Sequence, residues 1–385
     1  MSKIRERYGL EVFHQFFEKI VELCAAAGLV WGEELYFDGT KVRANTDIRG
    51  LIDRAEYEAK QHLEELWGPH EKVSTTETLS DLVEKYNGEQ IIGTRKSSYQ
   101  RLADEKVSPV DPAASPMRPS GGGSTVLGYH DHYVVDGGKA RIILSALVTP
   151  ASIMDNTPLL EMVDWVCDRW QLKPKIASGD AKYGTVPNIV GLEKRGLKAY
   201  IPIPNLSKRT DYFPASQFKY DPENDQYRCP QGQFLTLFSR RKTEEVFVYR
   251  GEAEVCNTCP VKEACTGSKS GRHIFRSFHQ VYLDRVAAYS QTKAYNKAMR
   301  KRGVWVEPLF GEAKNFHRLR RFRLRGLQKA NIEGVMIAAG KNLKRLLKNY
   351  LEKLFSFFRK MALRPVFPDI VDFFNSLKSC TTNAV

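Results

Sequence analysis

The sequence predicts a mixed α/β fold, and three observations support this prediction. Short apolar runs of strand type end at isolated aspartates, two longer apolar segments are joined by an Asp-Gly-Gly turn, and elsewhere apolar residues recur at helical spacing. At 385 residues the chain can bury a full core and form more than one lobe. Its content of 42% hydrophobic and 27% charged residues is typical of a globular protein.

The charge balance favours a polyanionic partner. The formal net charge of +14 would attract a nucleic acid, and it would also attract an anionic membrane surface. No apolar run reaches the length of a membrane span, and the first residues lack the apolar core of a signal peptide. We therefore expect a cytoplasmic protein with no membrane partner. Seven cysteines, an odd number, favour thiols or a bound metal over a disulfide framework.

Composition and periodicity divide the chain into five segments. They are an N-terminal helix (1–33), the first part of an α/β core (34–204) with a helical insertion (46–124), a β-rich insertion (205–282), the last part of the core (283–350) and a C-terminal tail (351–385). The first helix should run over 4–29, with an apolar face of Val12, Phe13, Phe16, Phe17, Ile20 and Leu23. The insertion should contain helices over 51–67 and 76–88 and end in a loop or linker over 107–124.

Two aspartates stand at the ends of predicted strands. Asp38 follows the apolar run 35–37, and Asp180 ends the segment 175–180, ahead of a helix that starts at Pro187. Ligands in such sheets bind beyond the carboxyl ends of the strands, which is where both carboxylates would lie. Taken alone, Asp38 is better explained by an Asp-Gly turn between two strands. A buried or capping role would explain Asp180 equally well.

The segment 205–282 interleaves aromatic and polar residues, which predicts a small β-rich lobe. Its Cys256-Asn-Thr-Cys259 pair, together with Cys229 and Cys265, is compatible with a tetrahedral Zn²⁺ site that would staple a lobe too small to fold on its own core. Because only one pair is tightly spaced, reduced structural thiols are the alternative. The other cysteines, Cys24, Cys167 and Cys380, have the character of ordinary buried or tail residues.

The stretch 303–325 contains an acidic residue, a lysine and a run of arginines close together in the sequence. Pro308 suits the first turn of a helix, which places Glu307 at the helix N-terminus, where the dipole favours a carboxylate. Lys314 follows two turns later on nearly the same face. Beyond it lies a basic run of Arg318, Arg320, Arg321, Arg323 and Arg325. A metal-dependent enzyme acting on a nucleic-acid backbone could use this combination, and a capped surface helix with a solvated basic end would show it too.

Taken in order, the predicted elements describe a mixed sheet that brings Asp38, Asp180 and Glu307 to one edge. This order is the ribonuclease H-like plan, here with the helical insertion and the small β-rich, cysteine-containing insertion. Three carboxylates can hold two Mg²⁺ or Mn²⁺ ions, one activating the attacking oxygen and the other steadying the leaving oxygen of a phosphodiester. A further helix over 332–347 should carry Lys341, Lys344, Arg345 and Lys348 on its polar face.

The chain resembles DDE transposases of bacterial insertion sequences over roughly residues 3–347. The resemblance rests on the stretches 36–45, 127–136, 179–184 and 306–311, on Lys314, and on the run 320–326 followed by Asn342-Leu. It implies that Asp38, Asp180 and Glu307 form the metal-binding triad. The nearest candidates for the tyrosine and arginine that precede this glutamate in the family are Tyr295 and Arg302, at a different spacing. Relatives normally carry an N-terminal helical DNA-binding region before the helix at residue 4, and the chain resembles a truncated copy or one whose start lies elsewhere.

The resemblance implies a transposase that cleaves double-stranded DNA at element ends and transfers the strand into target DNA. Lys314 and the arginines of 318–325 would hold phosphates, and synapsis of two ends would make the enzyme a homodimer. Two alternatives keep the same fold: a catalytically silent DNA-binding remnant, and a nuclease that hydrolyses without joining. The presence of all three acidic residues favours the active enzyme over the remnant.

Overall fold

The computed structural model describes residues 2–67, 98–119, 122–204 and 211–360. The chain forms two compact units. Unit 1 comprises residues 1–180 and 297–385, and unit 2 comprises residues 181–296. Among the helices in these described ranges, none has both the length and the apolar character needed to cross a lipid bilayer.

A mixed β-sheet forms the centre of unit 1. Strand β1 (Glu34–Arg43) pairs antiparallel with β5 (Val126–Asp136) and parallel with β7 (Ile176–Ser178). The opposite side of β5 carries β6 (Ile143–Pro150) and the short strand β4 (Ser115–Met117), both antiparallel. The spatial order is therefore β6-β5-β1-β7. The mixed α/β class predicted from the sequence is confirmed.

The β5–β6 hairpin forms at the predicted Asp136-Gly-Gly turn. The Asp136 carboxylate accepts hydrogen bonds from the backbone N–H groups of Gly138 at 2.8 Å, Trp31 at 3.1 Å and Gly32 at 2.7 Å. A buried carboxylate needs such partners, and Asp136 is 1% exposed. One aspartate therefore closes the hairpin and also fixes the segment that leads into β1.

Helix α11 (Leu327–Lys360) runs along the outer side of β6. The side-chain amide of Asn331 both donates to and accepts from the backbone of Val148, and Asn342 does the same with Ile143. Asn331 and Asn342 are eleven residues apart in the helix, and their partners in the strand are five residues apart. Both separations correspond to about 16 Å, so each asparagine lies beside its own strand residue. These bonds satisfy strand groups that face away from β5, where an open edge would invite pairing with another chain.

Helix α1 (Ser2–Ala26) confirms the first predicted helix but not its buried face. Phe17 and Ile20 are buried as expected, whereas Val12, Phe16 and Leu23 are 44%, 47% and 43% exposed. The core side is completed instead by Leu10, Val21 and Cys24. The helix carries more apolar residues than one stripe can hold, so periodicity alone could not select the stripe that packs.

The segment 46–124 contains more strand than predicted. Helix α2 (Arg54–Trp67) confirms the first expected helix, and the one expected over 76–88 lies outside the described residues. Strand β2 (Ile52–Asp53) pairs with β3 (Lys106–Val107), which follows helix α3 (Ser98–Glu105). The expectation of a loop or linker over 107–124 is wrong in part, because β4 lies within it and is buried against β5. Proline is tolerated in such a short strand at the side of a sheet.

Three further helices complete the described part of unit 1. They are α4 (Leu159–Trp170), α9 (Lys293–Trp305), whose first four residues belong to unit 2, and α10 (Glu307–Phe316).

Unit 2 is built on an antiparallel sheet with the order β13-β12-β11-β10-β9. These strands are β9 (Lys219–Asp221), β10 (Gln226–Arg228), β11 (Phe234–Arg241), β12 (Val246–Gly251) and β13 (His273–Ser277). One face buries a core of Phe218, Tyr227, Leu235, Tyr249 and Ile274. The other described elements are α5 (Val186–Lys194), β8 (Lys198–Tyr200), α6 (Ala253–Asn257), α7 (Lys262–Cys265) and α8 (Gln280–Tyr289).

Candidate active site and nucleic-acid interface

Asp38 and Asp180 stand level with each other where the pairing of β1 with β7 ends. The expectation that Asp38 ends a strand or lies in a turn is wrong, because β1 continues to Arg43 along β5, whereas Asp180 follows the end of β7. The parallel register of β1 and β7 places Tyr36 opposite Ser178. Asp38 comes two residues after Tyr36, and Asp180 comes two residues after Ser178. Neighbouring strands lie about 4.8 Å apart, so the two carboxylates are neighbours. The N–H of Gly39 donates to Oδ1 of Asp38 at 2.9 Å. The structure thus brings together the two aspartates that the sequence singled out.

Glu307 is the first residue of α10, as the Pro308 signal predicts. One turn further on, Phe310 stacks on Tyr133, with ring centroids 4.5 Å apart and ring planes at 13°. Tyr133 is the residue of β5 that pairs directly with Asp38. A single stacking contact and a single strand pair therefore connect Glu307 with Asp38.

Lys341 secures α10 from the side of α11. The expectation that Lys341 lies on a polar face is wrong, because its side chain is fully buried. Its ammonium donates to the carbonyl of Leu309 and lies 5.2 Å from the ring centroid of Tyr133. Further along α10, Glu312 accepts at 3.2 Å from each of two α11 side chains, Lys344 and Arg345. Helix α10 is thus held by three cationic side chains of α11.

Arg302 joins two of the three carboxylates. Its guanidinium lies 3.0 Å from Oε1 of Glu307 and 3.7 Å from Oδ2 of Asp38. The Arg302 side chain is 18% exposed and that of Asp38 is 14% exposed, so the pair is largely withdrawn from water. The signal for this role in the sequence is weak, namely an arginine five residues before Glu307. Tyr295, the other family-based candidate, packs in unit 2 against Tyr200.

The acidic side chains influence one another electrostatically. The pKa of Asp38 is raised to about 6, chiefly by burial. The Gly39 N–H and Arg302 oppose this rise, and the nearby charges of Asp180 and Glu307 contribute to it. Burial lowers the pKa of Lys314, as does Arg320, and the Asp38 carboxylate acts in the opposite direction. The three carboxylates and Lys314 therefore belong to one electrostatic cluster.

The basic run is presented by an extended segment beside β1. Helix α10 ends at Phe316, and the backbone N–H of Arg43 then donates to the Arg320 carbonyl at 3.2 Å. The Phe322 N–H returns a bond to the Arg43 carbonyl at 2.9 Å. Leu319 and Phe322 are each 1% exposed and anchor the segment. The side chains turned to solvent are those of Arg318, Arg320, Arg321, Arg323 and Arg325.

A groove of about 800 Å³ lies beside this segment. Arg321 and Arg325, which the sequence predicted as DNA ligands, line it. Both contact Asn45: Arg321 donates to its Oδ1 at 2.8 Å and Arg325 to its carbonyl at 3.1 Å. Arg43 and Arg49 also line the groove, with Asp47 as the acidic residue among the lining. Sequence reasoning missed these two arginines because they lie far along the chain from the basic run.

The four cysteines predicted as zinc ligands converge in unit 2. All of them line one cavity of about 200 Å³, all are partly buried and none forms a disulfide. Cys229 follows β10, Cys256 lies in α6, Cys259 follows α6 and Cys265 ends α7. Burial raises the pKa of Cys265, and the other three thiols raise it further, while Arg272 opposes the rise.

In the described ranges, no group of three or more His, Cys, Asp or Glu side chains stands at metal-binding spacing. At the acidic cluster, Arg302 holds Glu307 in an ion pair of its own. The donor types fit metals nonetheless: carboxylates are the ligands that Mg²⁺ prefers, and a set of four cysteines is typical of structural zinc.

An acidic cluster at a sheet end, beside a lysine and an exposed arginine segment, suits the class of enzymes that process nucleic-acid backbones. Residues 228–347 match the family model described as the transposase DDE domain, which confirms the resemblance to DDE transposases. The match includes Glu307, Lys314, the arginine segment and the four cysteines, whereas Asp38 and Asp180 lie outside it. No curated protein and no solved structure matches the chain.

Proposed function

We propose that the chain is a DNA transposase that cleaves phosphodiester bonds at element ends and transfers the cleaved strand into target DNA. The observation that carries this proposal is the meeting of Asp38, Asp180 and Glu307 in unit 1 of a chain that matches the transposase DDE domain. The order β6-β5-β1-β7, with three antiparallel strands and one parallel strand, supports the ribonuclease H-like plan for this core.

Asp38, Asp180 and Glu307 would hold two Mg²⁺ or Mn²⁺ ions, which supply an activated attacking oxygen and stabilise charge on the leaving oxygen. The surroundings of Asp38 support this assignment: burial raises its pKa, and the charges of Asp180 and Glu307 act in the same direction, so a cation among the three carboxylates would stabilise their ionised forms. In the structure, the Arg302 guanidinium supplies positive charge beside Asp38 and Glu307. Ligation by Glu307 therefore requires its ion pair with Arg302 to open.

The basic surface of unit 1 would hold the DNA. Lys314 lies in the electrostatic cluster of Asp38, where its ammonium can meet the phosphate next to the scissile bond. The arginines of 318–325, with Arg43 and Arg49 in the groove, would contact phosphates further along the duplex. Synapsis of two element ends would bring two copies of the chain together as a homodimer.

Cys229, Cys256, Cys259 and Cys265 would hold one structural Zn²⁺ in unit 2. Their shared cavity and the mutual influence of their thiols support this assignment, and so does the absence of a disulfide among these four residues. Zinc would tie the turn after β10 to the short helices α6 and α7, which have little core of their own.

The test is cleavage and strand transfer on duplex DNA carrying the element ends, with Mg²⁺ or Mn²⁺ present. Asp38→Asn, Asp180→Asn and Glu307→Gln should each abolish nearly all cleavage while DNA binding stays close to normal, because affinity comes mainly from the basic surface. Asp168→Asn, an exposed acidic residue of α4, is the matched control and should cleave like the wild type. Cleavage by any triad variant at the wild-type rate would refute the assignment, and cleavage without joining would replace the transposase by a nuclease.

A further inference from the structure

The sheet of unit 2 has a second face, opposite its core, that carries exposed phenylalanines. Tyr249 and Ile274 point into the core, so the alternating residues Arg250, His273 and Phe275 lie on the other side. A register shift between Leu237 and Ser239 places Phe238 on this side too, in contact with the His273 ring at 6.4 Å between centroids. Phe238 and Phe275 are 53% and 54% exposed.

Arginines flank both phenylalanines on this face. The Arg250 guanidinium lies 3.7 Å from the ring centroid of Phe238, and that of Arg241 lies 5.4 Å from the centroid of Phe275. The face is electropositive because the guanidinium groups of Arg241 and Arg250 lie on it. Burial lowers the pKa of His273, and the charges of these arginines act in the same direction. We name this surface the aromatic face and define it by Phe238, Arg241, Arg250, His273 and Phe275.

We propose that the aromatic face binds unpaired nucleotides of a DNA strand, with bases stacking on Phe238 and Phe275 and phosphates meeting Arg241 and Arg250. Proteins that bind single-stranded nucleic acids combine planar side chains on a sheet with nearby arginines, since every base offers a π-face and every linkage a negative charge. The two phenylalanines belong to strands separated by β12, about 10 Å apart, which suits two bases of one extended strand.

The charge of the face selects this occupant over others. An apolar protein partner would cover the Arg250 guanidinium without offering it an anion and would leave Arg241 only its ion pair with Glu244 at 3.3 Å, which disfavours burial of the face. Duplex DNA would offer phosphates to the arginines, but its bases are already stacked on one another and could not reach the rings. The inference rests on the proposed function only in the source of the unpaired strand, namely DNA opened or cut at the acidic cluster.

The test uses the full chain and fluorescence anisotropy, without Mg²⁺ or Mn²⁺ so that no cleavage occurs. The probes are a short oligothymidylate and the same backbone with abasic sites. The wild type should prefer the oligothymidylate, and the double variant Phe238→Leu/Phe275→Leu should bind it about tenfold less tightly, with abasic binding unchanged. The double variant Phe238→Tyr/Phe275→Tyr should bind the oligothymidylate about as tightly as the wild type, because tyrosine also stacks on bases. Phe16→Leu, at an exposed phenylalanine of α1, is the matched control.

Equal loss on both probes, or no loss, would overturn the proposal. Altered self-association with unchanged oligothymidylate binding would also overturn it and assign the face to a protein contact. The Tyr variants exclude misfolding as the cause of a loss. Since binding is measured without catalytic metal, a failure of DNA cleavage by the wild type would refute the proposed function and leave this result standing.

Discussion

Replacing the buried Lys341 by methionine should change how the stability of unit 1 depends on pH. The pKa of Lys341 is lowered from 10.5 to about 7, chiefly by burial and also by the charge of Arg345, against opposing contributions from Glu312 and Asp131. An unfolded chain would keep the ordinary pKa. Between pH 7 and 10.5 the unfolded chain therefore binds more protons than the folded one, and stability rises with pH.

The size of this effect follows from the two pKa values. Raising the pH from 7 to about 8.5 increases the free energy of unfolding by about 2 kcal/mol through Lys341. Asp131, whose pKa burial raises to about 7, works mainly at lower pH and offsets a small part of that gain. In Lys341→Met the gain disappears, and Asp131 loses a nearby cation, so its pKa rises further. The stability of the variant should stay level or fall over this range.

The assay is urea unfolding at several pH values from about 7 to 8.5, with the free energy taken from each midpoint and slope. Lys348→Met, at an exposed lysine of the same helix, should follow the wild type and serves as the control. If Lys341→Met gains stability with pH in parallel with the wild type, the pH dependence does not come from Lys341, and its pKa in the folded protein is not lowered to about 7.

Three further outcomes are expected. Purified protein should contain about one zinc per chain and lose stability on chelation, and metal-free protein of unchanged stability would leave only reduced thiols at the four cysteines. Arg321→Gln and Arg325→Gln should each lower the magnitude of the log–log salt slope of duplex binding by roughly 0.9, and an unchanged slope would remove them from the DNA contacts. Gly128→Ala should destabilise the fold by about 1–3 kcal/mol, because the added Cβ would lie 2.5 Å from the Val42 carbonyl oxygen. Gly340→Ala, with no atom within 4 Å, should stabilise the fold by up to about 1 kcal/mol, and equal effects of the two substitutions would contradict the packing argument.

The level positions of Asp38 and Asp180 could be predicted because they depend on local signals. An apolar run that ends in an aspartate reports a strand end correctly for Asp180, and the same signal at Asp38 marks the end of the pairing with β7, although β1 itself continues to Arg43 because β5 pairs with it. Pro308 marks the first turn of a helix in the same local way, so Glu307 was found at the start of α10. These are properties of a few consecutive residues, and the sequence shows them directly.

The positions of Lys341 and β4 could not be predicted, because their partners are distant in the sequence. Lys341 lies in a pattern that indicates a polar face, yet the Leu309 carbonyl and the Tyr133 ring give its ammonium a buried place. Pro116 marks a loop by composition, yet β5 supplies the pairing that makes it part of a strand. Composition reports what a residue prefers in isolation, whereas pairing and burial are decided by the rest of the fold.

Arg302 shows how the fold accommodates three neighbouring carboxylates. Burial is the main cause that disfavours the ionised form of Asp38 and raises its pKa, and repulsion by Asp180 and Glu307 adds to it. Arg302 is placed at the end of α9 so that one guanidinium offsets part of this repulsion while contacting both Asp38 and Glu307. Meanwhile Phe310 and Lys341 fix α10 through contacts that do not involve the carboxylates. The position of Glu307 therefore depends on packing, and its charge remains available for a cation other than Arg302.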